Sequence, residues 1–132
     1  MDLYEKSLKT LELPAVLEML SKEAVSIPAR DKCLEIKPCT HPAEAKRLLG
    51  QTSAAKDMMV TRGSPAFGGV KDVRNALARA DMSGVLNTRE LLDIAGVLQC
   101  ARLAKAYGSG EKSEKSDINY LFLSLHANKY LE

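Results

Sequence analysis

The stretch that decides the fold is LNTRELLDIAGVLQCARLAKAYGSG, residues 86–110. Asn87 can accept a hydrogen bond from the first turn of a helix, and Glu90 can bond back to Asn87, which is the pattern of a capping box. Apolar residues follow at helical spacing: Leu91, Ile94, Ala95, Leu98 and Ala101. Because Gly108 and Gly110 favour a helix end, the stretch predicts one long helix that begins at Asn87.

The same apolar spacing recurs along most of the chain and predicts an all-α fold, an irregular multi-helix bundle of about six to seven helices. The other helices are expected at 3–11, 13–24, 26–37, 42–62 and 70–82, with a last one from Ser116 or Asp117. The last helix has no terminating signal, so the single helical domain at 1–132 is predicted to be incomplete. The polar run 111–117 is predicted to be a mobile loop. The predicted core is Val16, Leu17, Leu20, Cys33, Leu48, Leu49, Val73, Leu77, Ile94 and Leu98.

The composition favours a packed, helical protein inside the cell. Of 132 residues, 27% are charged and only 5% are aromatic, with no Trp. The chain has neither a signal peptide pattern nor an apolar run of the roughly 18 residues that span a bilayer, which predicts a cytoplasmic protein without membrane contact. The net charge of +2 is too small for a dedicated nucleic-acid module.

Residues for catalysis, cofactor binding or metal binding are not expected in this chain. The glycine-rich stretch at 63–69 lacks the Lys and Ser or Thr that end a phosphate-binding loop. Cys33, Cys39 and His41 resemble part of a zinc site, but a fourth ligand is missing. The favoured interpretation is that the cysteines are reduced thiols and that Cys33 is buried. No nucleophile has a recognisable base beside it.

Basic residues outnumber acidic ones after the glycine-rich stretch, and two interpretations remain open. Lys71, Arg74 and Arg79, together with Arg89, Arg102 and Lys105, form either a solvated helix surface or a weak phosphate-binding face. The candidate nucleic-acid contacts are Lys71, Arg74 and Arg79.

A series of short motifs resembles the start of the MutS type II family. The most specific is GSPAFGGVKDVR at 63–74; the others are SLKTLE at 7–12, EIKP at 35–38, ARA at 78–80, GVL at 84–86 and ELLDI at 90–94. One departure is Ala29, where the family often has Gly after a Ser-x-Pro turn. The resemblance covers nearly the whole chain and implies the N-terminal core and lever region of a bacterial MutS-like ATPase without a mismatch-recognition domain.

For the intact protein, the resemblance implies a homodimer that uses ATP and Mg²⁺ in domains beyond Glu132. Its substrate is implied to be branched DNA, in mismatch repair or the control of recombination, or stalled ribosomes, in ribosome rescue. This chain is expected to contribute scaffold and weak, non-specific contact with DNA or ribosomal RNA. The alternative is a free-standing helical module that binds proteins and has no nucleic-acid role.

Overall fold

The computed structural model describes residues 3–110 and 116–132. Those residues form seven α-helices and no β-strand, which confirms the predicted all-α fold. The helices are α1 (Leu3–Thr10), α2 (Leu13–Glu23), α3 (Ile27–Leu34), α4 (Pro42–Arg62), α5 (Arg74–Asp81), α6 (Thr88–Gly108) and α7 (Asn119–Leu123). The chain divides into two compact units, Met1–Pro38 and Cys39–Glu132.

The first unit is built around α2, which contacts both α1 and α3. Glu12 adopts a left-handed conformation with φ of 56° and turns the chain from α1 into α2. Pro14 then lies in the first turn of α2, where its missing N–H costs no hydrogen bond. Ser26 caps α3 as predicted, because its side chain accepts a hydrogen bond from the backbone N–H of Ala29 at 3.4 Å.

The first unit buries no side chain completely among residues 5–38. Only one side of the apolar arc of α2 is covered, and Val16, Met19 and Leu20 remain 54%, 67% and 44% exposed. Cys33 is half-buried, so the prediction that it is a core residue holds only in part.

The second unit has a small core made mainly of small or flexible side chains. Met58 of α4, Ala76 of α5, Cys100 and Ala104 of α6, and Ile118 just before α7 are all buried. Each helix of the unit therefore contributes a buried residue, either from the helix itself or from the residue just before it. Helix α6 contributes two of them, Cys100 and Ala104.

The buried face of α4 excludes the two leucines that were predicted to lie in the core. Leu48 and Leu49 are 42% and 69% exposed, and Met59 is 48% exposed. The covered positions follow helical spacing: Gln51, Ala54, Ala55, Met58 and Arg62. Polar anchors set this orientation, since Gln51 Nε2 donates to the hydroxyl of Tyr120 at 2.9 Å and Arg62 bonds to the end of α6.

The predicted core is wrong at five positions. Val16, Leu20, Leu48, Leu49 and Leu77 are between 42% and 69% exposed. The half-buried members are Leu17, Val73, Ile94 and Leu98. The apolar face of each helix is wider than the part of that face that other described residues cover. Helical periodicity therefore predicted several core side chains that no neighbouring helix covers.

Three predicted helix boundaries differ from the structure by more than one residue. Helix α5 begins at Arg74 rather than at residue 70, because the turn of the glycine-rich loop continues to Val70 and Asp72 bonds ahead to the backbone of Arg74. Helix α3 ends at Leu34, and α7 spans only Asn119–Leu123. Of the polar run predicted to be a loop, residues 111–115 lie outside the described part of the chain.

Candidate nucleic-acid interface

The glycine-rich loop, residues 63–70, lies directly on α6. The N–H of Val70 donates to the carbonyl of Phe67 at 3.2 Å and closes a turn. A Cβ at Gly69 would lie 2.9 Å from Sγ of Cys100, and the carbonyl oxygen of Gly69 would lie 3.7 Å from a Cβ at Gly96. Only glycine at position 69 lets the loop approach the helix this closely.

Small residues along one side of α6 leave room for the loop backbone to lie close to the helix. Gly96, Cys100, Ala104 and Gly108 recur every fourth position along one side of the helix. At the far end, Gly108 lies under Phe122, whose Cγ would be 2.3 Å from a Cβ at that glycine. The four-residue spacing of these small residues is present in the sequence, but a pattern based on large apolar residues does not include it.

Lys71 directly follows the loop. Its side chain is exposed and forms no ion pair with any described residue. Its position just after the turn from Phe67 to Val70 leaves its ammonium group available to an external anion.

Arg74 is held by Asp72. Nε of Arg74 donates to Oδ1 of Asp72 at 2.9 Å, and Nη2 donates to Oδ2 at 2.6 Å, which is a two-pronged contact. The same Oδ1 accepts from the backbone N–H of Arg74 at 3.2 Å. These bonds with Arg74 lower the pKa of Asp72 to about 2. Asp72 therefore stabilises the start of α5 and largely neutralises Arg74.

The corner between α5 and α6 is closed by two backbone bonds. The N–H of Ser83 donates to Ala80 at 2.9 Å, and the N–H of Gly84 donates to Arg79 at 2.8 Å. Ser83 has φ of 61°, so the pair of bonds forms a Schellman motif with serine where glycine is usual.

The side chain of Arg79 crosses this corner. Its Nε donates to the carbonyl of Val85 at 3.3 Å, and its Nη2 forms an ion pair with Glu90. Glu90 also accepts from the N–H of Asn87 at 2.9 Å, while the side chain of Asn87 accepts from the N–H of Glu90 at 2.9 Å. The predicted capping box is thus confirmed. The bonds from Arg79 and then Asn87 lower the pKa of Glu90.

The remaining basic residues of this region also divide into those that have a carboxylate partner and those that do not. Arg89 lies 3.6 Å from Asp93, and Arg102 forms a two-pronged pair with Glu132 at 2.7 and 2.6 Å. Lys105 forms no ion pair within the described residues. Four arginines therefore have carboxylate partners, and the two lysines do not.

The three predicted contact residues thus occupy different chemical situations. Arg74 and Arg79 hold the two ends of α5 and face carboxylates, whereas Lys71 faces solvent. Asp72, two residues before Arg74, was a visible partner in the sequence. The pairing of Arg79 with Glu90 depends on the α5–α6 corner and had no comparable local signal.

The cysteines and histidines form no visible metal site. Sγ of Cys39 lies 3.5 Å from Oε2 of Glu44 and 3.4 Å from the carbonyl of His41. Residues 3–110 and 116–132 contain no group of three or more side chains suited to hold a metal ion. They also contain no helix long and apolar enough to cross a membrane.

A groove of about 590 Å³ lies between α6 and the C-terminal segment. Leu92, Ala95 and Gly96 form its apolar floor, and the Arg102–Glu132 pair lies at its rim. The hydrogen bonds that Arg102 donates to Glu132 lower the pKa of the Glu132 carboxyl and raise the pKa of the Arg102 guanidinium. Arg102 and Glu132 neutralise each other at this rim, and Lys129 is a further cation that lines the groove.

Comparison with known proteins finds no matching family model. The chain is related, however, to proteins named endonuclease MutS2. It is 37% identical to the one from Ruminiclostridium cellulolyticum over 97% of the chain, 32% identical to that from Acetivibrio thermocellus over 97%, and 35% identical to that from Clostridium botulinum (strain Loch Maree) over 85%. The chain spans only 14–16% of the length of these relatives.

Proposed function

We propose that this chain is a helical assembly module of a MutS2-like protein, and that it packs its uncovered apolar helix faces against other parts of that protein. The observation that carries the proposal is the imbalance between core and surface. Five apolar residues are buried among the described residues, whereas large apolar side chains remain exposed on α2, α4, α5 and α6. Exposed apolar side chains that lie next to each other on one helix, as on α2, are typical of interaction sites in soluble proteins.

Helix α2 provides the clearest docking face. Val16 and Leu20 are one helical turn apart, Met19 lies beside them, and all three are exposed. The unit that contains them is also small, and folded units below about 40 residues usually need a disulfide, a metal or a partner. We therefore infer that this arc is covered in the assembled protein.

The activity of the longer protein is a separate proposal. The relatives are named endonucleases. We propose that ATP and Mg²⁺ act in other parts of a homodimeric protein, on branched DNA or on stalled ribosomes, and that this chain serves that activity as the N-terminal core and lever region without catalysing a step itself.

A second candidate function is weak, non-specific contact with DNA or ribosomal RNA. Lys71 favours it, because this lysine is exposed, unpaired and placed beside the loop. The carboxylate partners of Arg74 and Arg79 reduce their availability to phosphate. Few phosphate contacts predict weak binding, with a dissociation constant of about 10⁻⁴ to 10⁻⁶ M, and the affinity should fall as the salt concentration rises.

The assembly role is tested by reading the gene beyond the codon for Glu132 and then by copurification. A frame that continues into a phosphate-binding loop supports the proposal, and a stop codon directly after Glu132 contradicts it. The downstream part is then produced separately and captured with this chain, either unchanged or as the Val16→Ser/Leu20→Ser double variant. We expect the double variant to lose capture.

The matched control is Glu18→Ser/Lys22→Ser, which changes two exposed positions one turn apart on the same helix. It introduces the same two serines into the same helix, so the loss of helix propensity is of similar size in the two variants. Equal capture by both double variants would show that the apolar arc of α2 is not a docking face.

A further inference from the structure

Phe67 is an exposed aromatic residue at the tip of a loop that is itself well held. The residue is 39% exposed, and its carbonyl accepts the hydrogen bond that closes the turn to Val70. Two residues later, Gly69 rests against Cys100 of α6. The ring is therefore carried by a backbone fixed on both sides, which limits the ordering cost of binding a ligand on it.

The space next to Phe67 at Gly68, the following residue, is not filled by other atoms of the protein. A Cβ placed on Gly68 would have no atom within 4 Å, so the backbone there leaves space for an incoming ligand. Because the turn brings Phe67 and Val70 within about 7 Å, the Cα atoms of Phe67 and Lys71 are at most about 11 Å apart. At 3.4 Å per stacked base, that distance corresponds to about three nucleotides.

We propose that Phe67 and Lys71 form a contact site for unpaired nucleotides, in which the ring of Phe67 stacks on a base and Lys71 binds a nearby phosphate. The proposal rests on the nucleic-acid contact put forward above and gives it a substrate preference: single-stranded segments over duplex. Proteins that hold single strands without reading their sequence combine aromatic side chains that stack on bases with cations that contact the backbone.

The charge pattern around the loop favours a single strand over a duplex. A duplex would require several cations spread along its backbone, yet Arg74 and Arg79 are engaged by Asp72 and Glu90. One unpaired lysine gives little affinity alone, so the base must contribute through its apolar face. In a duplex, that face is occupied by the neighbouring base pairs and is not available to Phe67.

The absence of tryptophan from the sequence allows a direct test. Phe67→Trp places a single fluorophore at the proposed platform. We expect saturable quenching when an oligothymidylate of about ten nucleotides is added, and little quenching by a duplex of the same length. Oligouridylate in place of oligothymidylate distinguishes RNA from DNA as the source of the strand. The control is Tyr130→Trp, at a fully exposed residue, which should show no saturable quenching.

Affinity is measured in parallel by the anisotropy of the labelled oligothymidylate. Phe67→Leu keeps an apolar side chain but removes the aromatic face, and we expect it to weaken binding by roughly 5- to 150-fold. Lys71→Gln should weaken binding and reduce its salt dependence. Circular dichroism checks that each variant keeps its helical content.

The outcomes separate this inference from the function it rests on. If the unchanged chain binds neither single strands nor duplex, nucleic-acid contact fails and the stacking site fails with it. If the unchanged chain binds and Phe67→Leu binds equally well, only the stacking site is overturned. Equal binding of duplex and single strand would likewise overturn it and leave general phosphate contact standing.

Discussion

Arg62 and Tyr107 cap each other's helices. Nη1 of Arg62, at the end of α4, donates to the carbonyl of Tyr107 at 2.7 Å and to that of Gly108 at 3.3 Å. In return, the hydroxyl of Tyr107, near the end of α6, donates to the carbonyl of Gly63 at 2.7 Å. Carbonyls that have no partner within their own helix are thus satisfied by the other helix, which ties the two long helices together at one end.

Tyr107→Phe should destabilise the chain by about 0.5–1.5 kcal/mol, because it removes the hydroxyl and leaves the carbonyl of Gly63 without this donor. Urea unfolding followed by circular dichroism measures the change. Tyr130→Phe is the control, since Tyr130 is fully exposed, and it should have no measurable effect. An equal effect of the two variants would mean that the reciprocal cap contributes nothing.

Gly108→Ala should destabilise the chain by about 1–3 kcal/mol, although alanine normally favours a helix over glycine by about 1 kcal/mol. The reason is steric: the added Cβ would lie 2.3 Å from Cγ and 2.4 Å from Cβ of Phe122. Gly68→Ala, where a Cβ meets nothing within 4 Å, should be close to neutral. Thermal or urea unfolding compares them, and a stabilising Gly108→Ala would show that Phe122 does not pack there.

Ser83→Gly should stabilise the chain by about 0.5–1 kcal/mol. Ser83 has φ of 61° in the Schellman motif after α5, a conformation that glycine adopts without steric cost. Ser109, the residue that caps α6, has φ of −92°, so Ser109→Gly should instead lower the midpoint of urea unfolding. A loss of stability in Ser83→Gly would contradict the left-handed assignment.

Arg74→Gln should raise the pKa of Asp72 from about 2 towards its ordinary value of 3.8, because the hydrogen bonds from the guanidinium are lost. A carboxyl whose pKa is lowered by folding stabilises the folded state above its unfolded pKa and loses that effect as the pH falls through its folded pKa. The stability advantage of the unchanged chain over Arg74→Gln should therefore shrink between about pH 4 and about pH 2.

Carboxyl titration by NMR measures the pKa of Asp72, and urea unfolding at several pH values measures the stability difference. Lys71→Gln removes a neighbouring cation without touching the two-pronged contact and should shift this pKa much less. If both variants shifted the pKa equally, general charge effects rather than the Arg74 contact would account for it.

Arg79→Gln and Lys71→Gln should have opposite profiles. The first removes the ion pair with Glu90 across the α5–α6 corner, so we expect a lower midpoint of urea unfolding and little change in nucleic-acid affinity. The second leaves the corner intact and should reduce affinity without changing stability. If Arg79→Gln weakened binding at unchanged stability, Arg79 would belong to the interface after all.

Features that depend on neighbours within three or four residues could be predicted from the sequence alone. The cap at Ser26 and the capping box of Asn87 and Glu90 are examples, because the atoms that bond belong to the same helical turn. The spans of α4 and α6 followed from the same local rules. For this reason the sequence by itself determined the all-α class and predicted about six to seven helices, and the described residues contain seven.

Only the tertiary structure decided which helix faces are covered and which charges are available. The covered side of α4 depends on Arg62 reaching Tyr107, 45 residues away, and the pairing of Arg102 with Glu132 spans 30 residues. Periodicity marks a face as apolar, but whether a neighbour covers it depends on where the other helices lie. Likewise, the count of basic residues could not separate Lys71 from Arg79, because a charge is neutralised by proximity in space and not in sequence.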